Sequence, residues 1–178
     1  DHAPGSAVYR RLPGVLDALF DAGGRVIDSS PMYGRAERTT GELLALRASP
    51  DARPFLATKV WTRGRAAGVA QMNESIALLG REPIDLMQIH NLLSWRSHLA
   101  TLRRWKAEGL TRLIGITTSH GRDHDLVQRV LETERGIDVM QITYSPADRS
   151  AEPLLELAAR LGVAVIINRP FDGGELLS

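Results

Sequence analysis

Six short apolar, partly β-branched runs recur along the chain about 25 to 30 residues apart, the length of a βα unit. They occupy residues 25–28, 55–61, 85–90, 113–118, 139–144 and 163–168. Near-continuous hydrophobicity over so few residues suits strands buried on both faces, as in parallel sheets. Helical patterns fill the intervals. Residues 12–22 carry Val15, Leu16, Leu19 and Phe20 at helical spacing before Gly23 and Gly24. Residues 68–79 place Val69, Met72, Ile76 and Leu79 on one face, and residues 98–107 do the same with Leu99, Leu102 and Trp105. Residues 123–132 and 151–161 complete the set.

Alternating βα units imply a parallel α/β sheet, open or closed. Polar residues recur at the C-terminal ends of the runs: Asp28, Lys59, His90, Thr117, Gln141 and Asn168. Delivery of one polar side chain by each strand at the same end points to the catalytic face of a closed (β/α)8 TIM barrel. An open sheet would gather its ligand groups at one switch point. No Gly-x-Gly-x-x-Gly follows the first run and no Walker A sequence occurs, which counts against dinucleotide-binding and P-loop sheets. No linker or composition break divides residues 1–178, so one domain is expected.

Composition narrows the function classes. The 22 basic and 21 acidic residues leave a formal net charge of +1, which gives no bulk attraction to nucleic acid or an anionic membrane. No apolar run approaches a membrane span of roughly 20 residues. Residues 1–6 do not read as a secretory signal. The chain has no cysteine, hence no disulfide frame, thiolate metal site or thiol nucleophile. A cytoplasmic location is the expectation. No metal site is expected either, since the five histidines are scattered and His120 and His124 read as solvated surface.

All but two of the basic residues are arginine, which draws attention to Lys59 and Lys106. A lysine inside a buried parallel strand needs a partner or a purpose. Asp28, Tyr33, Lys59 and His90 lie on or just after three successive strand ends, and their chemistry is coherent. A phenol with a reference pKa of about 10 is a poor proton donor near neutrality. A nearby ammonium favours the phenolate, an aspartate compensates the buried ammonium, and an imidazole can orient a substrate oxygen. The set reads as a proton-delivery device aimed at a carbonyl oxygen. A Schiff-base lyase of the class I aldolase type, using Lys59, is the chemical rival. A cofactor-binding or scaffold subunit without turnover is the alternative from another class.

The sequence resembles the aldo-keto reductases. The matching stretches are residues 24–30 with Tyr33, Gly34 and Glu37, then 57–59, 84–90, 114–118 and 140–146, and Pro170 and Phe171 with Gly174 and Leu176. The resemblance implies an NAD(P)H-dependent carbonyl reductase acting on a small-molecule aldehyde or ketone. Asp28, Tyr33, Lys59 and His90 would be its catalytic tetrad: Tyr33 the general acid, Lys59 and Asp28 tuning it, His90 orienting the carbonyl. NADPH is the expected cofactor, with NADH the alternative. Thr117, Thr118, Gln141, Asn168, Arg169, Pro170, Phe171, Gly174 and Leu176 fall at cofactor-binding positions. Asn168 and Arg169 stand where the family often stacks an aromatic ring on the nicotinamide. Trp61 and Trp95 are candidates for substrate contact, whereas Trp105 reads as core. A full barrel takes about 250 residues. In the family register the first and eighth strands are absent, so the 178 residues are expected to form an incomplete barrel truncated at both ends.

Overall fold

The computed structural model describes residues 4–47 and 53–177; residues 1–3 of the stretch read as no signal, and Ser178, lie outside them. Six parallel strands form one sheet in chain order: β1 (Val26–Asp28), β2 (Phe55–Val60), β3 (Ile84–His90), β4 (Thr111–Thr117), β5 (Val139–Thr143) and β6 (Ala164–Asn168). The helices are α1 (Leu12–Asp21), α2 (Ala36–Ala45), α3 (Arg65–Leu79), α4 (Trp95–Ala107), α5 (His124–Thr133) and α6 (Glu152–Leu161). Each expected strand is present with its ends shifted by a residue or two. Helix α2 was not anticipated from periodicity.

The sheet is curled, and one hydrogen bond demonstrates it. Strands spaced about 4.8 Å apart would put β1 and β5 roughly 19 Å from each other in a flat sheet. Instead Gln141 Nε2 of β5 donates to Asp28 Oδ2 of β1 over 2.9 Å. The architecture is a partial (β/α)8 barrel, a curled half-barrel with helices outside.

Side chains alternate across this sheet with period two and separate two cores. Met87 and Ile89 of β3 face outward and pack with Met72, Leu99, Leu102 and Trp105 of the surrounding helices. Inward, Ala57, Leu86 and Val139 form a smaller apolar cluster with Phe55, Leu113 and Ile166, the floor of the barrel. Two residues further along each strand the inward layer turns polar: Lys59, Gln88, Gly115, Gln141 and Asn168. His90, Thr117 and Thr143 stand one step beyond Gln88, Gly115 and Gln141.

Carboxylates near the strand starts stitch the opposite end. Asp85 is buried and accepts from the Leu56 N–H (2.9 Å) and from Arg112 (2.7 Å). Asp138 accepts from the Ile114 N–H (2.8 Å) and from Lys106 (2.7 Å). Each ties a strand to its neighbour through a backbone donor that strand pairing does not use.

Burial on both faces holds for β2 to β5 but not for the edges. Val26 is 53% exposed and β6 is half-buried, because each edge strand has a hydrogen-bonded neighbour on one side only. The apolar stripe expected on α1 is likewise thinner: Phe20 is buried, whereas Val15 is 62% exposed. Helix α1 precedes β1 at the margin of the sheet and packs chiefly with the short 3-10 turn at Tyr9–Arg11.

Candidate active site

The C-terminal strand ends surround a cavity of about 260 Å³. Tyr33, Lys59, His90, Thr117, Ser119, His120, Gln141, Thr143, Asn168 and Arg169 line it. Five of these were singled out at the strand ends, and Tyr33 hangs over them from the turn after β1.

Lys59 is the most constrained of them. It is 2% exposed, and its ammonium donates to Asp28 Oδ2 (2.7 Å) and to the Ser29 carbonyl (2.8 Å). Burial pushes its pKa down, while Asp28, and to a lesser degree Glu37, oppose that shift. Glu37 is itself buried in the first turn of α2 and accepts the Thr58 hydroxyl proton. Helix α2 thus places a second carboxylate behind the lysine strand.

Tyr33 lies with its ring centre 5.7 Å from Lys59 Nζ, and the residue is 51% exposed. Its pKa is not lowered by Lys59 as expected. Partial burial pushes the phenol above its ordinary value of 10, and the Asp28 carboxylate adds to the rise.

His90 ends β3 and is 6% exposed. Its Nδ1 lies 2.8 Å from Thr117 Oγ1, which leaves Nε2 as the ring nitrogen for a substrate. Burial, with Lys59 second, lowers its pKa to about 4, so the imidazole is neutral at physiological pH. The Trp61 ring meets it edge-on at 6.3 Å. Trp95 does not line the cavity; it packs on the outer core with Arg96 over its ring. Trp105 is buried as expected.

The far side of the cavity is a chain of amides. Gln141 Nε2 donates to Asn168 Oδ1 (2.9 Å) as well as to Asp28, and Asn168 Nδ2 donates to the Thr118 carbonyl (3.3 Å). Thr118 Oγ1 and Gln141 Oε1 are buried without a hydrogen-bond partner in the protein. An open hydroxyl donor and an open amide acceptor match in kind the carbonyl and N–H groups of a carboxamide. Arg169 lines the cavity with a left-handed backbone (φ 53°) and pairs with Asp172. Pro170, Phe171, Gly174 and Leu176 follow on the exposed surface.

Sequence reasoning passed over several of these groups. His120, taken as surface, is exposed but stands at the cavity wall, where its N–H donates to Thr143 Oγ1 (3.1 Å). Gln88 was detectable in principle, two residues before His90 on a strand of period two. Ser119, held by Asn91 Oδ1, carried no signal because it lies in a loop.

A model described as "Aldo/keto reductase family" matches residues 8–178. The chain belongs to the aldo/keto reductase family. Members of this family use NADP(H). Among solved structures it is similar to a protein from Pseudomonas aeruginosa described as an aldo-keto reductase, at 24% identity and a TM-score of 0.78 over 90% of this chain and 66% of that one. It is also similar to aldo-keto reductase AKR11C1 from Bacillus halodurans, at 22% identity and a TM-score of 0.75 over 89% of this chain and 57% of that one. A third is the Bombyx mori enzyme AKR2E4, solved in complex with NADP, at 22% identity and a TM-score of 0.72 over 94% and 58%. The chain therefore spans between 57% and 66% of these structures, which attest the fold. No curated protein sequence matches it. None of the described helices is long and apolar enough to cross a membrane.

Proposed function

We propose that this aldo/keto reductase chain carries the site of an NADPH-dependent reduction of an aldehyde or ketone to an alcohol. The observation that carries the proposal is the buried Lys59, paired with a half-buried Asp28 and lying beneath Tyr33, on the same cavity as a neutral His90. His90 Nε2 holds the carbonyl oxygen, and Tyr33 donates its proton to that oxygen as negative charge develops on it. Reduction needs the phenol in its protonated form, and the upward shift of Tyr33 keeps it there at neutral pH. Asp28 holds Lys59 charged against desolvation, so that an ammonium stands near the tyrosinate left behind.

Thr118 and Gln141 fit the carboxamide of a nicotinamide, with Thr117 and Asn168 beside them. Arg169, Pro170, Phe171, Gly174 and Leu176 are assigned to the remainder of the cofactor. When bound, the dihydronicotinamide supplies the hydride. Trp61 is assigned to the substrate, which it would meet next to His90.

The test is NADPH oxidation across a panel of aldehydes and ketones, with NADH in parallel. Tyr33→Phe is expected to cost about 10² to 10⁴ in kcat, the usual worth of a general acid, with NADPH affinity by fluorescence titration unchanged. Unaltered turnover in that variant would overturn the role of Tyr33. Borohydride trapping of a carbonyl substrate on Lys59 would favour the lyase instead.

A further inference from the structure

We propose that Gln88 is a positioning residue that locks the Asp28 carboxylate, and through it aims the Lys59 ammonium at Tyr33. This inference rests on the reading of Tyr33 and Lys59 given above. Asp28 Oδ2 is shared by Lys59 Nζ and Gln141 Nε2, so one oxygen bears both. Those contacts alone allow the carboxylate to pivot about the oxygen they share. Gln88 Nε2 donates to the other oxygen, Oδ1, at 3.1 Å and removes that freedom.

The fold is arranged around this contact. Gln88 pairs in register with Lys59 on one side and Gly115 on the other, so it sits in the polar layer above the barrel floor. It is fully buried, and its Oε1 has no hydrogen-bond partner. A residue serving only to fill that space would be apolar, since a buried amide with an open acceptor is a liability. Gly115 makes the room: a Cβ there would stand 2.8 Å from Gln88 Cγ and 3.1 Å from Oε1. Lys59 has three donors and spends two of them, on Asp28 and on the Ser29 carbonyl. Holding Asp28 still fixes the direction of the third, which is the one left for the Tyr33 oxygen as its charge develops. Gln88 itself does not line the cavity.

Gln88→Met keeps length and volume and removes the donor; Gly115→Ala crowds the same amide from its other side. Folding of both is checked by circular dichroism and thermal melting. Two measurements decide the matter. The first is exchange of the Lys59 ammonium protons by NMR with labelled lysine, which is readable because the chain has only Lys59 and Lys106. Exchange at Lys59 is expected to accelerate about tenfold in Gln88→Met, the size of one lost hydrogen bond to a charged group, with Lys106 unmoved. The second is turnover: kcat is expected to fall about tenfold with the KM for the aldehyde within about twofold, the split of an interaction made in the transition state. Its pH profile should shift as well.

Unchanged Lys59 exchange in a folded variant overturns the proposal whatever the turnover, and so does accelerated exchange with wild-type kcat and pH profile. If Gln88→Met does not fold, Gly115→Ala is held to the same two outcomes. If the wild-type chain oxidises no NADPH with any carbonyl, the reductase reading falls. Lys59 exchange then decides by itself whether Gln88 positions the ammonium.

Discussion

Lowering the pH should destabilise this chain through His90. The imidazole pKa drops from 6.5 in the unfolded chain to about 4 in the folded one, chiefly through burial and then through Lys59. Between those values the unfolded state binds a proton that the folded state refuses, so stability rises with pH across the window and is lost as pH falls through it. Each pKa unit is worth about 1.36 kcal/mol, which makes the full loss roughly 3 kcal/mol. His90 is 6% exposed, so solvent screening takes little from that figure. Against a total stability of about 5–15 kcal/mol the effect is large. Urea denaturation at half-unit steps from pH 7 to pH 4 measures it, with His90→Asn as the reference. Asparagine keeps a polar atom near the position of Nδ1 for the Thr117 hydroxyl but does not titrate. The wild type should lose about 3 kcal/mol more than the variant over the window, with the two curves parallel below about pH 4. Other ionisable groups are common to both chains and cancel. Parallel curves from pH 7 to pH 4, or an NMR titration of His90 near 6.5, would refute the reasoning.

Two other perturbations test the charged framework. Asp28→Leu leaves Lys59 buried and unpaired, and is expected to destabilise the fold by about 3–5 kcal/mol at neutral pH; urea melts should show the deficit shrinking towards pH 10, because the folded lysine then sheds its proton more readily than the unfolded one. Adding Lys59→Met to that variant should restore most of the loss while activity stays absent, and a double variant no more stable than Asp28→Leu would count against an unpaired ammonium as the cause. Asp85→Ala strands the Leu56 N–H and releases Arg112, at a cost of about 2–3 kcal/mol in thermal or urea melts; at the permissive temperature its kcat and KM should match wild type, since Asp85 sits at the other end of the strands.

The strands and five of the six helices were legible because large apolar residues mark them. Helix α2 was not, and its packing explains why. Its buried face consists of Glu37, Gly41 and Leu43. At Gly41 the helix presses so closely on α3 that a Cβ would stand 2.1 Å from the Leu78 carbonyl oxygen. A helix seated on a glycine and a carboxylate leaves no apolar stripe to read. The site followed a similar division. A lysine in an apolar strand advertised its need for Asp28, and the pair is there. How deeply the Tyr33 ring is buried, and how near Asp28 stands to it, depend on the loop after β1, so the expected lowering of the Tyr33 pKa became a rise. The wall supplied by His120 and Ser119 depends on a loop path that no periodicity encodes.

Polarity along the barrel interior explains how such a site coexists with a stable fold. The inward residues of β2 to β5 run from the apolar floor of Ala57, Leu86, Leu113 and Val139 to Lys59, Gln88, Gly115 and Gln141 within two positions. Below that boundary, burial and the Asp85 and Asp138 stitches hold neighbouring strands together. Above it the polar groups stand too deep for water to satisfy freely, so they must satisfy one another. Asp28 meets most of that demand, accepting from Lys59, Gln88 and Gln141 on its two oxygens. Gln88 Oε1, Thr118 Oγ1 and Gln141 Oε1 remain open. The first is hemmed in by Gly115, whereas the other two belong to residues bonded to Asn168, Gln141 through its amide and Thr118 through its carbonyl. A ligand carboxamide would meet Gln141 at Oε1 while Nε2 of the same side chain stays on Asp28, so a change at Gln141 is expected to disturb cofactor affinity and proton delivery together, and one at Thr118 cofactor affinity alone.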